Sequence, residues 1–434
     1  MCVNFKLNGI YGAIKRLFYI YELFRPLHLQ KIKNKSALVS VPGSKSITAR
    51  ALFIAALAKG TSTLYGAGLS DDCLTFIDCL KSLGIKVYLN GTTVTVEGCG
   101  GRLPVKSGEV YVGSAGTAAR FITALLAFSE GEFLVRSSEQ MKKRPMGDLI
   151  SALEGAGACF EFFGKKDCFP FKIFGTSAPA KDITVDITKS SQFMSAILMA
   201  GVCAKGGLRV SASGSHGTDY IDMTADMMWS FGAGPEKRAL KSGAEYAVNG
   251  AYSARKYDIE PDISAACYFY AMNRILGTDI KVRGVMPRSM QGDIKFIELM
   301  KGGFDGGEAD MSSFSDQALT MAAIAPYFSK PTHICGIEHI RGQECDRIEA
   351  MAANLRAMGV ECTAGRGDIT IYPSQPKPAR INTFGDHRVA MSFAVTGLRA
   401  DGIVIENAEV CSKTFSNFFE VLDGVVRELT DENV

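Results

Sequence analysis

A chain of 434 residues is too long for one ordinary hydrophobic core, and two domains are expected. Its 48 basic and 45 acidic residues leave a net charge of +3, far too small to argue for a nucleic-acid partner, so any anion site must gather its cations locally. Hydrophobic residues make up 47% of a composition typical of soluble globular proteins, and no apolar run is long enough to cross a membrane.

The chain opens on a basic, aromatic stretch. Lys6, Lys15, Arg16, Arg25, Lys31, Lys33 and Lys35 face a single acid, Glu22, and Ile10–Phe24 is rich in aromatic residues. A secretory signal needs a cleaner apolar core and a small-residue cleavage site, and a transit peptide needs serines. Residues 1–37 are therefore read as an N-terminal extension such as an upstream start codon would add, with a peripheral membrane helix as the weaker alternative.

One pattern then recurs along the chain. Ser44–Ala58, Gly116–Phe128, Ser190–Ala204, Asp262–Ala271, Asp316–Ala325 and Asp386–Val395 each start on polar or acidic residues and continue as an Ala-rich apolar helix. Helices that are apolar nearly all round should be buried. Each is followed by an amphipathic segment closing on a glycine: Asp72–Gly84, Pro145–Gly157, Tyr220–Gly232, Gln291–Gly303, Asp346–Gly359 and Thr414–Gly424. Leu, Ile, Phe and Met recur there at helical spacing, and the glycine suits a C-cap. Short β-branched runs, among them Lys86–Leu89, Ile183–Ile187, Leu208–Ala212, Ile280–Val285 and Ile369–Tyr372, read as strands. Six such units, split three and three, predict two similar α/β domains.

The polar starts carry the functional signal. A helix N-terminus has unpaired N–H groups and about half a positive charge, so buried helices whose N-termini share one cleft make an anion trap. Lys45, Ser46, Arg50, Thr117, Arg120, Ser190, Ser191, Asp316, His387 and Arg388 cluster at these starts. Plain N-capping accounts equally well for the hydroxyls and acids. It does not account for Lys45, Arg50, Arg120 and Arg388, which are electrostatically misplaced at an N-terminus unless they meet anions. The twelve cysteines are scattered without a CxxC pair, and spacings such as His333 to Cys335 or His339 to Cys345 fit no zinc template, so reduced, mostly buried thiols and no metal are expected.

Eight strings, in order, resemble the 5-enolpyruvylshikimate-3-phosphate synthases from Val39 to the end. They are Pro42-Gly43-Ser44-Lys45-Ser46 with Arg50, Gly113-Ser114-Ala115-Gly116-Thr117 with Arg120, Arg144-Pro145-Met146, Ser190-Ser191-Gln192, Gln291-Gly292-Asp293, Glu344-Cys345-Asp346-Arg347, Asp386-His387-Arg388 and Lys413-Thr414-Phe415. The resemblance implies two inside-out α/β domains, each of three βαβαββ repeats with buried parallel helices, and an active site in the interdomain cleft. By that resemblance residues 38–43 and 261–434 form the first, discontinuous domain and 44–260 the second, with crossings near Pro42–Gly43 and Glu260–Pro261.

The implied reaction moves the enolpyruvyl group of phosphoenolpyruvate onto the 5-hydroxyl of shikimate 3-phosphate. Both substrates bring a phosphate and a carboxylate, which explains the gathered cations, with Arg favoured for its two-pronged grip. By resemblance, Lys45, Gly116, Arg144, Gln192, Arg347, Arg388 and Lys413 hold phosphoenolpyruvate, the place that glyphosate also takes in the family. Lys45, Ser46, Arg50, Ser190, Ser191, Gln192, Asp316 and Gln343 hold shikimate 3-phosphate, while Arg120 and Thr117 support the glycine loop. Asp316 is the base toward the 5-hydroxyl, and Glu344 with Lys45 supply the proton at C3. No cofactor or metal is implied, and a cytoplasmic monomer is expected.

Three positions depart from the family pattern: Gln343 stands where the family usually has Lys, His339 where Asn is frequent, and Gly217 at a serine of the shikimate phosphate site. The sister transferase acting on UDP-N-acetylglucosamine carries a Cys acid before its Arg-Pro motif, whereas Ser137–Arg144 has none. A P-loop fails because Gly43 is followed by Ser rather than Lys. A catalytically dead binding protein on the same fold is the remaining alternative, raised by Gln343, and turnover separates it from the enzyme.

Overall fold

The computed structural model describes residues 20–22, 32–214, 217–240 and 243–430. Most of Ile10–Phe24, whose character led the reading of the extension, lies outside the described residues. The apolar, Ala-rich segments fold as inner helices: α1 (Lys45–Leu57), α2 (Gly116–Ala127), α3 (Gln192–Ala200), α4 (Ile263–Leu276), α5 (Ala318–Ile324) and α6 (His387–Gly397). Every residue of α5 and α6, and every residue from Ile47 to Leu57 of α1, is buried. At three of the six, α1, α4 and α6, the polar start caps the helix with its side chain. Ser44 Oγ accepts from the Ile47 N–H, Asp262 Oδ1 from Ala265 and Asp386 Oδ1 from Arg388, at 3.4, 2.9 and 2.8 Å.

The amphipathic partners and the strands lie outside these helices. The unit around α2 runs Ser107–Tyr111, α2, Gly131–Arg136, helix Gly147–Gly155, Cys159–Phe162 and Phe171–Gly175, which is the order βαβαββ. Its first two strands pair parallel, and the other two complete the sheet antiparallel. The same mixture recurs in the sheets built on Lys59–Tyr65, on Leu208–Ser213 and on Thr332–Cys335. Helices form the centre and sheets the rim, as the inside-out architecture requires.

Buried apolar residues fall into two separate clusters. One runs from Ile47 to Ile259; the other joins Ala37 and Val39 to residues from Ile263 to Leu429. The chain passes between them at two adjacent places, where Gly43 pairs with Pro261. There Ser44 N–H donates to Glu260 O and Asp262 N–H to Pro42 O, each at 2.8 Å. A Cβ on Gly43 would stand 1.8 Å from the Gly66 carbonyl oxygen, so this crossing tolerates no side chain. Both α1 and α4 begin immediately beyond the crossings, which fixes their N-termini at the junction of the halves.

Several boundaries differ from the sequence-based ones. The helix from the Thr414–Gly424 segment spans Phe418–Thr430, and Gly424 lies inside it, because Val425, Val426 and Leu429 continue the buried stripe. The segment Ser190–Ala204 holds only the nine residues of α3 before a 3₁₀ turn at Gly201–Cys203, and α5 is preceded by a 3₁₀ turn at Ser315–Gln317. The strand Ser36–Val39 begins inside the stretch drawn as 1–37, because Ala37 and Val39 are core residues. It pairs parallel with Asp279–Val282, and Ile20–Glu22 pairs antiparallel with Ile403–Glu406. Each described cysteine is free, but only Cys73, Cys79, Cys267 and Cys411 are buried and Cys159 is exposed, so the thiols are less buried than expected.

Candidate active site

The inner helices start around one cleft of about 950 Å³ between the halves. From the half built on α1–α3 it receives Lys45, Ser46, Arg50, Arg120, Arg144, Ser190, Ser191, Gln192 and Tyr220; from the other half, Asp316, Gln343, Glu344, Arg347, His387 and Arg388. Twelve of the fourteen residues expected to bind or react therefore share this wall, with Gly116 and Lys413 just behind it. Lys413 Nζ lies 3.5 Å from Glu344 Oε1 and donates to the Ser114 carbonyl at 3.4 Å. At Gly116 a Cβ would come within 2.5 Å of both Arg120 Nη1 and Arg144 Nη1, so the missing side chain lets two guanidiniums pack on the loop backbone. Arg120 Nη2 also donates to Pro145 O at 3.1 Å and Nη1 to Gln192 Oε1 at 3.4 Å, which ties the glycine loop to α3.

Two of these cations have neutral partners. Arg50 is buried at the first turns of α1, where it donates to Thr224 Oγ1 and Ser195 Oγ at 2.7 and 3.3 Å and to the Ser46 carbonyl at 3.0 Å. Burial pulls its pKa down to about 10, against a small opposing effect of Tyr220. Arg120 is held well below the ordinary arginine value, by burial and then by the like charge of Arg144. Buried cations held by neutral groups are poised for an anion.

The other cations meet acids, one of them across the cleft. Arg347 pairs with Asp386 at 2.8 Å, Asp316 at 2.9 Å and Glu344 at 3.2 Å. Arg388 pairs with Asp316 at 2.8 Å, and Arg144 reaches Glu344 from the opposite half at 3.4 Å. Lys45 pairs with Asp72 at 3.2 Å. Burial favours the neutral form of Asp316, but Arg388 and Arg347 outweigh it and hold its carboxyl at about 2. Glu344 follows the same pattern: burial raises it, while Arg144, Arg347 and Lys413 hold it well below the usual carboxylate range. Burial lowers Lys45, yet Asp72 and Glu344 more than offset that and keep it charged above the ordinary lysine value. His387, fully buried beside Asp386, is held neutral mainly by burial.

The departing positions have clear surroundings. Gln343 Oε1 accepts from Arg347 Nη1 in the cleft wall, and His339 Nε2 lies 2.7 Å from Ser315 Oγ. Gly217 has a φ of +64° at the start of helix Thr218–Ser230, and a Cβ there would fall 2.5 Å from Ser191 Oγ. Sequence reasoning missed Asp72 and Tyr220. The Tyr220 hydroxyl crosses the cleft to donate to Asp316 Oδ2 at 3.3 Å. A tyrosine at the start of an amphipathic helix carries no sign of that role.

Two halves of central helices, closing on a cation-lined cleft, define an enolpyruvyl-transferase fold. The structure superimposes with a TM-score of 0.74 on EPSP synthase from Acinetobacter baumannii, covering 90% of this chain and 96% of that one at 24% identity. It also matches the enolpyruvyl transferase NikO from Streptomyces tendae, at a TM-score of 0.66 and 14% identity over 90% of this chain and 95% of the other. The chain belongs to the EPSP synthase (3-phosphoshikimate 1-carboxyvinyltransferase) family, whose model matches residues 29–422. The 3-phosphoshikimate 1-carboxyvinyltransferase of Trichormus variabilis is 38% identical over 88% of this chain and 95% of its own length. That of Marinomonas sp. is 34% identical over 92% and 98%.

Proposed function

We propose that this cleft transfers the enolpyruvyl group of phosphoenolpyruvate to the 5-hydroxyl of shikimate 3-phosphate, with release of phosphate, in the shikimate route to aromatic amino acids. The observation that carries this reading is the pair of carboxylates, Asp316 and Glu344, each restrained by cations on which two polyanionic substrates would draw. Arg144, Arg347, Arg388, Lys413 and Lys45 hold phosphoenolpyruvate, helped by Gly116 and Gln192. Ser46, Arg50, Ser190, Ser191, Gln192, Asp316, Gln343 and Lys45 hold shikimate 3-phosphate. As substrate anions take over Arg388 and Arg347, Asp316 loses counter-charge and becomes a stronger base.

Asp316 takes the 5-hydroxyl proton while that oxygen bonds to C2 of phosphoenolpyruvate. C3 gains a proton from Lys45, which carries one, or from Glu344 once Arg144 and Lys413 have turned to the substrate. The tetrahedral adduct then returns a proton from its methyl group and expels phosphate onto the surrounding cations. The apolar clusters of 47–259 and of 37–39 with 263–429 are the cores of two domains, 44–260 and 38–43 with 261–434, acting as a cytoplasmic monomer. No cofactor enters this scheme. Phosphate release measured with both substrates, and with each omitted in turn, tests it; release must require both.

A further inference from the structure

Behind the cleft, at the crossings, lies a second, small pocket whose wall includes Gln291 and Asp293. These belong to the Gln291-Gly292-Asp293 string, which the reaction above does not use. Gln291 has a structural role: its Nε2 donates to Glu260 Oε2 and Pro261 O, and its Oε1 accepts from Ile263 N–H, tying the second crossing to α4. Asp293 has no such part in the crossing. It is a buried carboxylate whose Oδ2 accepts from both the Ser264 hydroxyl and Gln317 Nε2, the latter at 2.9 Å.

Those two donors lead to the reacting pair. Ser264 Oγ accepts from Arg388 Nη2 at 3.3 Å, and the same Nη2 pairs with Asp316 Oδ2 at 2.8 Å. Gln317 is the residue after Asp316 in the 3₁₀ turn Ser315–Gln317, fully buried and fixed further by Thr320 Oγ1 at 3.0 Å. A closed ring results, running from Asp316 through Arg388, Ser264, Asp293 and Gln317 back to Asp316. We infer that Asp293 is a positioning residue which, through Ser264 and Gln317, sets how Arg388 and Asp316 face each other and thereby the basicity of Asp316.

The groups facing Asp293 come from every element around it: Asp316 from the turn, Arg388 from α6, Cys267 from α4 and Asp262 from its cap, Lys45 across the pocket from α1, and Tyr220 from helix Thr218–Ser230. Burial, and next the charge of Asp316, push the Asp293 carboxyl up to about 6, against the pull of Arg388. Ionised Asp293 adds negative charge near Asp316 and gives Arg388 a second acceptor through Ser264; both strengthen Asp316 as a base. Protonation removes both effects, so kcat falls as pH drops through that value.

This inference deepens the transferase reading and rests on it. The experiment compares kcat and KM against pH for wild type, Asp293→Asn and Ser264→Ala, with thermal unfolding alongside. Asp293→Asn is expected to lower kcat about tenfold at neutral pH, to displace the acid limb and to leave KM for shikimate 3-phosphate within about twofold. Ser264→Ala should shift the same limb in part, and it alone decides the matter if Asp293→Asn does not fold. An unchanged limb and kcat in the folded variants would overturn the inference, whatever happens to the unfolding temperature. If wild type turns over neither substrate, the transferase reading fails, and the Asp293 carboxyl is then followed by NMR. Titration near 6 in wild type, moved in Ser264→Ala, supports the ring; ordinary carboxylate titration overturns it.

Discussion

At the residue scale the site is a set of cations shared among acids, and the acids decide what each variant should do. Asp316 stands between Arg347 and Arg388 with the Tyr220 hydroxyl on it from the opposite half, placed to accept a proton from the substrate hydroxyl it holds. Asp316→Ala should lower kcat by about 10²–10⁴-fold with a much smaller change in either KM, as expected for a general base. A near-normal kcat would reduce Asp316 to a capping residue. Gln343 gives a second test. Its amide oxygen accepts from Arg347 but contributes no charge, whereas a lysine would meet the substrate anions with charge-assisted bonds of ~1.5–3 kcal/mol. Gln343→Lys is expected to lower KM for at least one substrate, by up to about tenfold, and to strengthen inhibition by glyphosate. Unchanged KM values and unchanged inhibition would remove Gln343 from the substrate shell.

The cations were legible because a positive charge at a helix N-terminus needs an anion to explain it. Asp72, Asp293 and Tyr220 were not, since an acid near a helix start and a tyrosine in an amphipathic segment have ordinary structural readings. The departure at Gly217 also acquires a reason only in three dimensions. With positive φ and Ser191 against it, the position has no room for a serine side chain unless Ser191 moves.

At the element scale, the all-round apolar helices were the most legible feature, and the polar residues before them marked their starts to within a residue or two. Their ends were harder, because burial rather than a local signal carries the last helix through Gly424. The N-terminal extension belongs to this scale as well. Among its described residues, Lys33 and Asn34 donate backbone N–H groups to Leu429 O at 3.0 and 3.1 Å, and Ser36–Val39 is a full partner of Asp279–Val282. Ile20–Glu22 adds only a three-residue edge to Ile403–Glu406. A chain shortened to begin at Ile32 should therefore stay soluble, unfold within a few degrees of the full protein and turn over normally. One beginning at Ser40 loses a core strand and should not fold. Loss of soluble protein in the first case would show that the edge strand contributes substantially to the fold.

At the scale of the whole molecule, no cluster of buried apolar residues spans the two halves among the described residues, although the partly buried Met290 packs against the core of the other half. Two crossings join them, with polar contacts such as Arg144 to Glu344, Lys295 to Asp219 at 2.6 Å and Ser412 to Asp71 at 2.6 Å. Mutual repulsion of the gathered cations is not the governing force, since Glu344 and Asp316 neutralise several of them. An interface held largely by polar contacts opens more readily than an apolar one, and anions that bind both halves should close it. Small-angle scattering should show the radius of gyration falling when shikimate 3-phosphate is added, most of all with glyphosate present; an unchanged radius at saturation would contradict hinge closure.

The central claim is that one cleft joins two polyanions and expels one phosphate. Phosphorus NMR of a mixture of shikimate 3-phosphate, phosphoenolpyruvate and the purified protein tests it most directly. The account predicts that both substrate signals fall together while one inorganic phosphate and one new phosphate monoester appear for each pair consumed. Phosphate released from phosphoenolpyruvate with the shikimate 3-phosphate signal intact, or no change in either signal, would contradict it.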